Sequence, residues 1–267
     1  MEIRRVMTKF VLEKLQEPTV NNPILIEGLP GIGHVGRLAV KHLTIELKAT
    51  KFATMYSNTF PPQVLIKENG IIQEMKNEFY FWKADDPSKK DIIFLTGNTQ
   101  ASTPEGQYAL SNKILEIAVN YGVKIIYTLG GLGVGRLVET PKVFGAVTHD
   151  KLIPPLEKLN VIMKREGVGQ IIGVSGMILG LAKVQDIEGI CLMGETSGYY
   201  LDPNSSKAVL SPLTKLLNLK VDMNKLSEKA KAAKLRVAEA QKIERKMMEN
   251  LGVVQKEPSE EQMRYIG

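Results

Sequence analysis

Continuous apolar runs alternate along this chain with segments whose apolar residues recur every three or four positions. Ile24-Leu25-Ile26-Glu27 is a short apolar run that follows Asn22-Pro23, where a first amphipathic segment ends, and it breaks into the glycine-rich turn at 28–36. From Arg37 to Leu47 the spacing of Leu38, Leu43 and Leu47, with Ala39 and Val40 between them, predicts a helix. Further strands are predicted at Lys51–Ser57, Gln63–Lys67, Phe79–Trp82, Asp91–Thr96, Lys124–Leu129, Val143–Thr148 and Glu188–Met193. Helical spacing recurs over Glu105–Asn120, Met177–Leu181 and Pro212–Leu219, and turns are expected at Gly130–Arg136 and Gly167–Gly169. Apolar strands interleaved with helices predict a sheet covered on both faces. The region around Phe79–Trp82 makes that sheet mixed. The expected fold is therefore α/β, a three-layer sandwich on a mixed central sheet.

Beyond Asp222 the pattern changes. Met223, Leu226, Ala230, Ala233, Val237, Ala240, Met247 and Leu251 keep a three-and-four spacing that only Glu244 interrupts, and no glycine occurs until Gly252. This predicts a helix of about 30 residues with one narrow apolar seam. Such a seam packs on a partner helix or along the protein's own body, and its three alanines make it weak. The expected organisation is a core domain at 1–219, a long amphipathic C-terminal helix at 220–251 and a flexible, polar tail at 252–267. The tail carries apolar residues near its tip, Met263, Tyr265 and Ile266, before Gly267.

Composition narrows the function. The 267 residues are 43% hydrophobic and 24% charged, the balance of a soluble globular protein. The net charge of +6 divides evenly between the core and the C-terminal part, and only 6% of residues are aromatic. No basic stripe with interleaved aromatics exists, which argues against nucleic-acid binding. Charges interrupt the first apolar segment, and no later stretch reaches a membrane-spanning length, so neither a signal peptide nor a membrane partner is expected. The lone Cys191 excludes an internal disulfide and, with His34, His42 and His149 scattered, no zinc site is expected. A cytoplasmic location and no cofactor follow as expectations.

Gly31-Ile32-Gly33-His34-Val35-Gly36 fits G-x-G-x-x-G after a strand and before a helix, the context of a dinucleotide site. The strand at Lys51–Ser57 lacks the acidic residue that would bind a ribose, and Thr54, Ser57 and Asn58 are poor substitutes. The glycines are explained by a sharp turn and close approach of the helix to the sheet. Gly130–Arg136 lacks the Lys-Ser/Thr of a P-loop, although Arg136 beside glycine amides suits an anion. Ser175 follows a strand but lacks the G-x-S-x-G spacing, and His149-Asp150 offers a base with an orienting acid. Cys191 reads as a buried thiol. Glu195–Pro203 is polar and dense at a strand's carboxyl end, where such sheets place sites, but also reads as a loop in which Asp202 caps the next helix.

Glu27–Gly36, Phe60-Pro61-Pro62, Gly97-Asn98-Thr99-Gln100, Gly130–Gly135, Gly173-Val174-Ser175-Gly176, Gly194–Tyr199 and Asp202-Pro203 are together similar to the archaeal proteasome assembly chaperone family. The resemblance spans about residues 20–215 and rests on the order and spacing of these segments. It implies a fold similar to the phosphorylase/hydrolase-like sandwich, self-association through Leu226, Ala230, Ala233, Val237, Ala240 and Met247, and binding to proteasome core α-subunits without ATP or catalysis. A second chaperone chain would be compatible with that assembly. Family members are similar to proteins that dock on the α-ring by a terminal hydrophobic-tyrosine-any tripeptide. Here Tyr265 stands one place too early, leaving Met263, Tyr265, Ile266 and Gly267 as the expected contact. The rival expectation is an enzyme holding a nucleotide-like or anionic molecule at Gly31, Gly33, Gly36 and Arg136. A purely structural scaffold would share the oligomer without the proteasome.

Overall fold

A computed structural model describes residues 9–86, 89–164, 169–233 and 235. Eight strands form the main sheet: β1 (Phe10–Lys14), β2 (Ile24–Gly28), β3 (Thr50–Ser57), β6 (Asn77–Trp82), β7 (Ile92–Gly97), β8 (Ile125–Gly133), β9 (Val143–Val147) and β10 (Glu188–Thr196). Their order is β1-β3-β6-β7-β2-β8-β10-β9. The central strands β7, β2, β8 and β10 are parallel, and antiparallel strands flank them on both sides. A separate two-stranded ribbon joins β4 (Val64–Ile66) to β5 (Ile72–Glu74). The expected mixed sheet is present.

Strand alternation sorts the core into two layers. On β2, Ile24 and Ile26 face a cluster with Ile92, Phe94, Tyr127, Leu129 and Leu192, whereas Leu25 faces the opposite cluster with Ile93, Leu95, Ile126 and Cys191. Over the first face lie α1 (Val35–Glu46), the short α3 (Ile153–Glu157) and α5 (Pro203–Leu216), with α1 packed on α5. Over the second lie α2 (Pro104–Asn120) and α4 (Val174–Val184), packed on each other. The result is a three-layer α/β/α sandwich. Its central strands have both faces covered, which is why they read as unbroken apolar runs.

Several boundaries differ from the sequence reading, each for a local reason. β8 continues through Gly130–Gly133 instead of turning at Gly130, because these residues pair in register with Met193–Thr196 of β10. α5 begins at Pro203, not at Pro212, since the Asp202 carboxylate accepts a hydrogen bond from the Ser205 amide at 2.8 Å and caps the helix. Pro212 lies inside that helix and is buried. β1 is an edge strand within the segment read only as amphipathic, and β5 and α3 were not anticipated.

α1 ends unusually. The amide of Lys48 donates to Ile45 and that of Ala49 to Thr44, a Schellman closure that places Lys48 at φ +51°. Among the described residues, six besides glycines have positive φ; four are Asn or Asp, which tolerate it, and Lys48 and His34 are the exceptions. Lys48→Gly is expected to raise the unfolding free energy by about 1 kcal/mol in urea denaturation. A neutral or destabilising result would show that the lysine is held there by contacts that outweigh the backbone.

The chain then returns to the body. Residues 224–233 are helical, and this run is α6 below. Leu226 is buried in the layer of α1 and α5, and the carbonyl of Asp222 lies 2.7 Å from His42 Nε2.

Candidate functional site

The loops at the carboxyl ends of β2, β7, β8 and β10 converge with the first turns of α1 and α4. Alternation along β2 places Glu27 on the same face as Leu25, beneath α4. There one carboxylate oxygen accepts from Ser175 Oγ at 2.9 Å and the other from the Leu29 amide at 2.9 Å. The side chain is wholly removed from solvent, and burial pushes its pKa up to about 7 against the pull of those two hydrogen bonds. Gln100 braces the neighbouring loops: its amide nitrogen donates to the Pro30 carbonyl, and its oxygen accepts from the Val174 amide at 3.0 Å. Glu27 and Gln100 thus clamp the β2 turn to the start of α4 from two sides.

A carboxylate of raised pKa beside a serine hydroxyl meets the first geometric condition for a nucleophile and its base. Both oxygens of Glu27 are engaged within the fold, however, so the group's clearest work is to hold Ser175 and α4 in place. The signal available in the sequence was a lone carboxylate ending an otherwise apolar strand before Gly28.

The glycines of the first turn are explained by contact. A Cβ on Gly36 would overlap the Leu129 carbonyl oxygen, and one on Gly28 would overlap the Gly36 carbonyl. Gly33 has φ +62° and faces Thr196, whereas a Cβ on Gly31 would meet open space. Gly131 is matched to the Ile32 carbonyl in the same way. Ile32 therefore lies on the end of β8, and α1 starts in direct contact with the sheet. His34, also left-handed, has a buried Nδ1 without a protein partner, and burial, helped by the Arg37 charge, lowers its pKa. Arg136 is exposed beyond β8.

Other sequence candidates fall apart. His149 Nε2 lies 3.3 Å from Asp186, which is 98% exposed, and its Nδ1 contacts Thr148, so Asp150 is not its orienting acid. Glu195 accepts from the Lys142 amide and serves the loop. Cys191 is buried. Among the described residues no group of three potential metal ligands exists and no helix is long and apolar enough to cross a membrane.

Beside this site an open cavity of about 440 Å³ separates the loops at 137–139 and 197–204 from α6. Leu137, Tyr200 and Leu201 line it and are substantially exposed, as is Tyr199 beside them. Ala230 and Ala233 form its helical wall. Of the predicted seam, then, Leu226 enters the core and these two alanines face the groove. Val237, Ala240 and Met247, with the tail residues Met263, Tyr265, Ile266 and Gly267, lie outside the described residues.

The strand order, the two helical layers and the tightly packed glycine turns define a class, the three-layer α/β/α proteins with a mixed sheet. Residues 25–241 match the PAC2 family, and the chain belongs to it. The chain is 44% identical to an uncharacterised protein of Methanocaldococcus jannaschii over 262 residues, 98% of this chain and 99% of that one. Among solved structures it is similar to Pyrococcus furiosus PbaB, an archaeal proteasome activator, with 40% identity, a TM-score of 0.83, and 88% of this chain and 100% of that one covered. It is also similar to Pyrococcus furiosus PbaA, an archaeal homolog of proteasome-assembly chaperone, at 28% identity and a TM-score of 0.70, covering 90% and 97% of the two chains.

Proposed function

We propose that this protein self-associates and binds proteasome core α-subunits in the cytoplasm, aiding assembly or regulation of the core particle without ATP and without catalysis. The observation that carries the reading is the 40% identity and 0.83 TM-score to an archaeal proteasome activator across the whole of that structure. The site geometry supports it. Glu27, Ser175 and Gln100 brace a rigid platform, and the apolar groove with Tyr199, Tyr200 and Leu201 provides a surface suited to protein contact. Copies gathered through residues 220–251 would present several tails to a ring of repeated pockets, where linked weak sites gain roughly 10²–10⁴ in apparent affinity.

The test is capture of archaeal α-subunits and assembled core particle by the full chain and by a version ending at Glu257, with light scattering for mass. Binding by the full chain that weakens on truncation is expected. Binding by neither form would overturn the proposal and favour the small-molecule reading at Gly31, Gly33, Gly36 and Arg136.

A further inference from the structure

A second cavity, of about 410 Å³, opens along the flank of α1 beside β6 and β7. Its walls carry four cations, Arg37, Lys41, Lys48 and Lys76, and a single carboxylate, Glu78. Two of the cations, Arg37 and Lys41, belong to α1, and Lys48 follows two residues after its last residue, Glu46. Arg37 and Lys41, about one turn apart, share a face of α1. Tyr80 and Asn98 add neutral hydrogen-bonding groups from the strand side.

Glu78 forms its ion pairs with Lys51 and Lys76 and none with the cations of α1. Lys51 lies 2.6 Å from it and Lys76 3.9 Å, and the Tyr80 hydroxyl donates to its other oxygen at 3.3 Å. Burial opposes its ionisation, but Lys51 and Lys76 outweigh that and hold its pKa below the ordinary value. Arg37, Lys41 and Lys48 make no ion pair among the described residues. Arg37 is half-buried, and that burial draws its pKa down against the attraction of Glu78. Lys48 is the residue held at φ +51°, where glycine would fit without strain. Arg37, Lys41 and Lys48 thus line a concave site of ligand size with no ion-paired carboxylate of their own among the described residues.

We propose that this cavity binds a small polyphosphate anion, held by Arg37, Lys41 and Lys48. The guanidinium supplies a planar fork for two phosphate oxygens, and the lysines act as point charges on successive phosphates. A free oligophosphate and the phosphate chain of a nucleotide share this chemistry. The site is independent of proteasome binding.

Calorimetric titration of the full chain in about 0.15 M salt, separately with tripolyphosphate and with adenosine triphosphate, tests it. Saturable binding is expected, weakened at least about tenfold by Lys41→Gln and by Lys48→Gly and unchanged by Lys183→Gln on α4. The Lys48→Gly protein should melt no lower than the parent, which separates lost binding from lost fold. Tighter binding of tripolyphosphate identifies a free oligophosphate, and tighter or equal binding of the triphosphate nucleotide identifies a nucleotide. Absence of saturable binding by both probes, or binding indifferent to both Lys41→Gln and Lys48→Gly, overturns the proposal.

Discussion

Gly36→Ala is expected to destabilise the protein by at least about 3 kcal/mol, enough to remove much of the stability of an ordinary domain. The new methyl group would overlap the Leu129 carbonyl oxygen, a backbone atom of a residue paired with Leu192 in the ladder of β8 with β10. Relief requires α1 to lift off the sheet, and α1 is also tied to α5 by the Ser206 hydroxyl, which donates to the Val35 carbonyl at 3.0 Å. Gly31→Ala in the same motif should change stability by no more than about 0.5 kcal/mol, because its backbone is extended and a Cβ there meets nothing within 4 Å. Urea denaturation of the two variants decides the matter. Equal, small effects would mean that α1 does not press on the sheet and that the glycines answer to a ligand instead.

The second large effect concerns pH. Glu27 has an ordinary value of 4.5 when exposed and is pushed up to about 7 in the fold. Between those values the folded protein holds a proton that the unfolded chain releases. Its contribution therefore favours folding at low pH, declines as pH rises across that window and levels off above about 7. The full decline is on the order of 3 kcal/mol. Glu27→Gln keeps the shape and carries no charge, and its amide can still accept from Leu29 and meet Ser175. At pH 8 the variant should be more stable than the parent by about 2–3 kcal/mol, and at pH 5 within about 1 kcal/mol. Urea curves at both pH values measure the gap. A gap of the same size at both would show that Glu27 titrates alike in the folded and unfolded chain.

The central layers were legible because parallel strands covered on both faces are apolar at nearly every position, as at Ile92–Leu95 and, but for Thr128, at Ile125–Leu129. Edge elements carry no such demand. β1 has only Phe10 and Leu12 turned inward, so its five residues lacked the strength of pattern to announce a strand. The end of β8 was hidden for the opposite reason. Its glycines look like a turn, yet they are strand residues kept small because the Ile32 carbonyl lies against Gly131. The clamp at the site was invisible for a topological reason. Ser175 is 148 residues from Glu27, and Val174 is 74 from Gln100, and only the crossovers of the sheet bring them together. The Asp202 cap, by contrast, is local chemistry between neighbours and could be read directly.

Leu226, buried at the start of α6, has a bearing on how a chain of this kind can change over time. It is the last residue along the described chain that belongs to the core, so the first turn of α6 shares the core's intolerance of substitution. The described positions beyond it are released from that demand. A descendant can vary the groove wall at Ala230 and Ala233 while its body stays as it was. One leucine thus marks where, along the described chain, the core's demand on inheritance gives way to a surface free to vary.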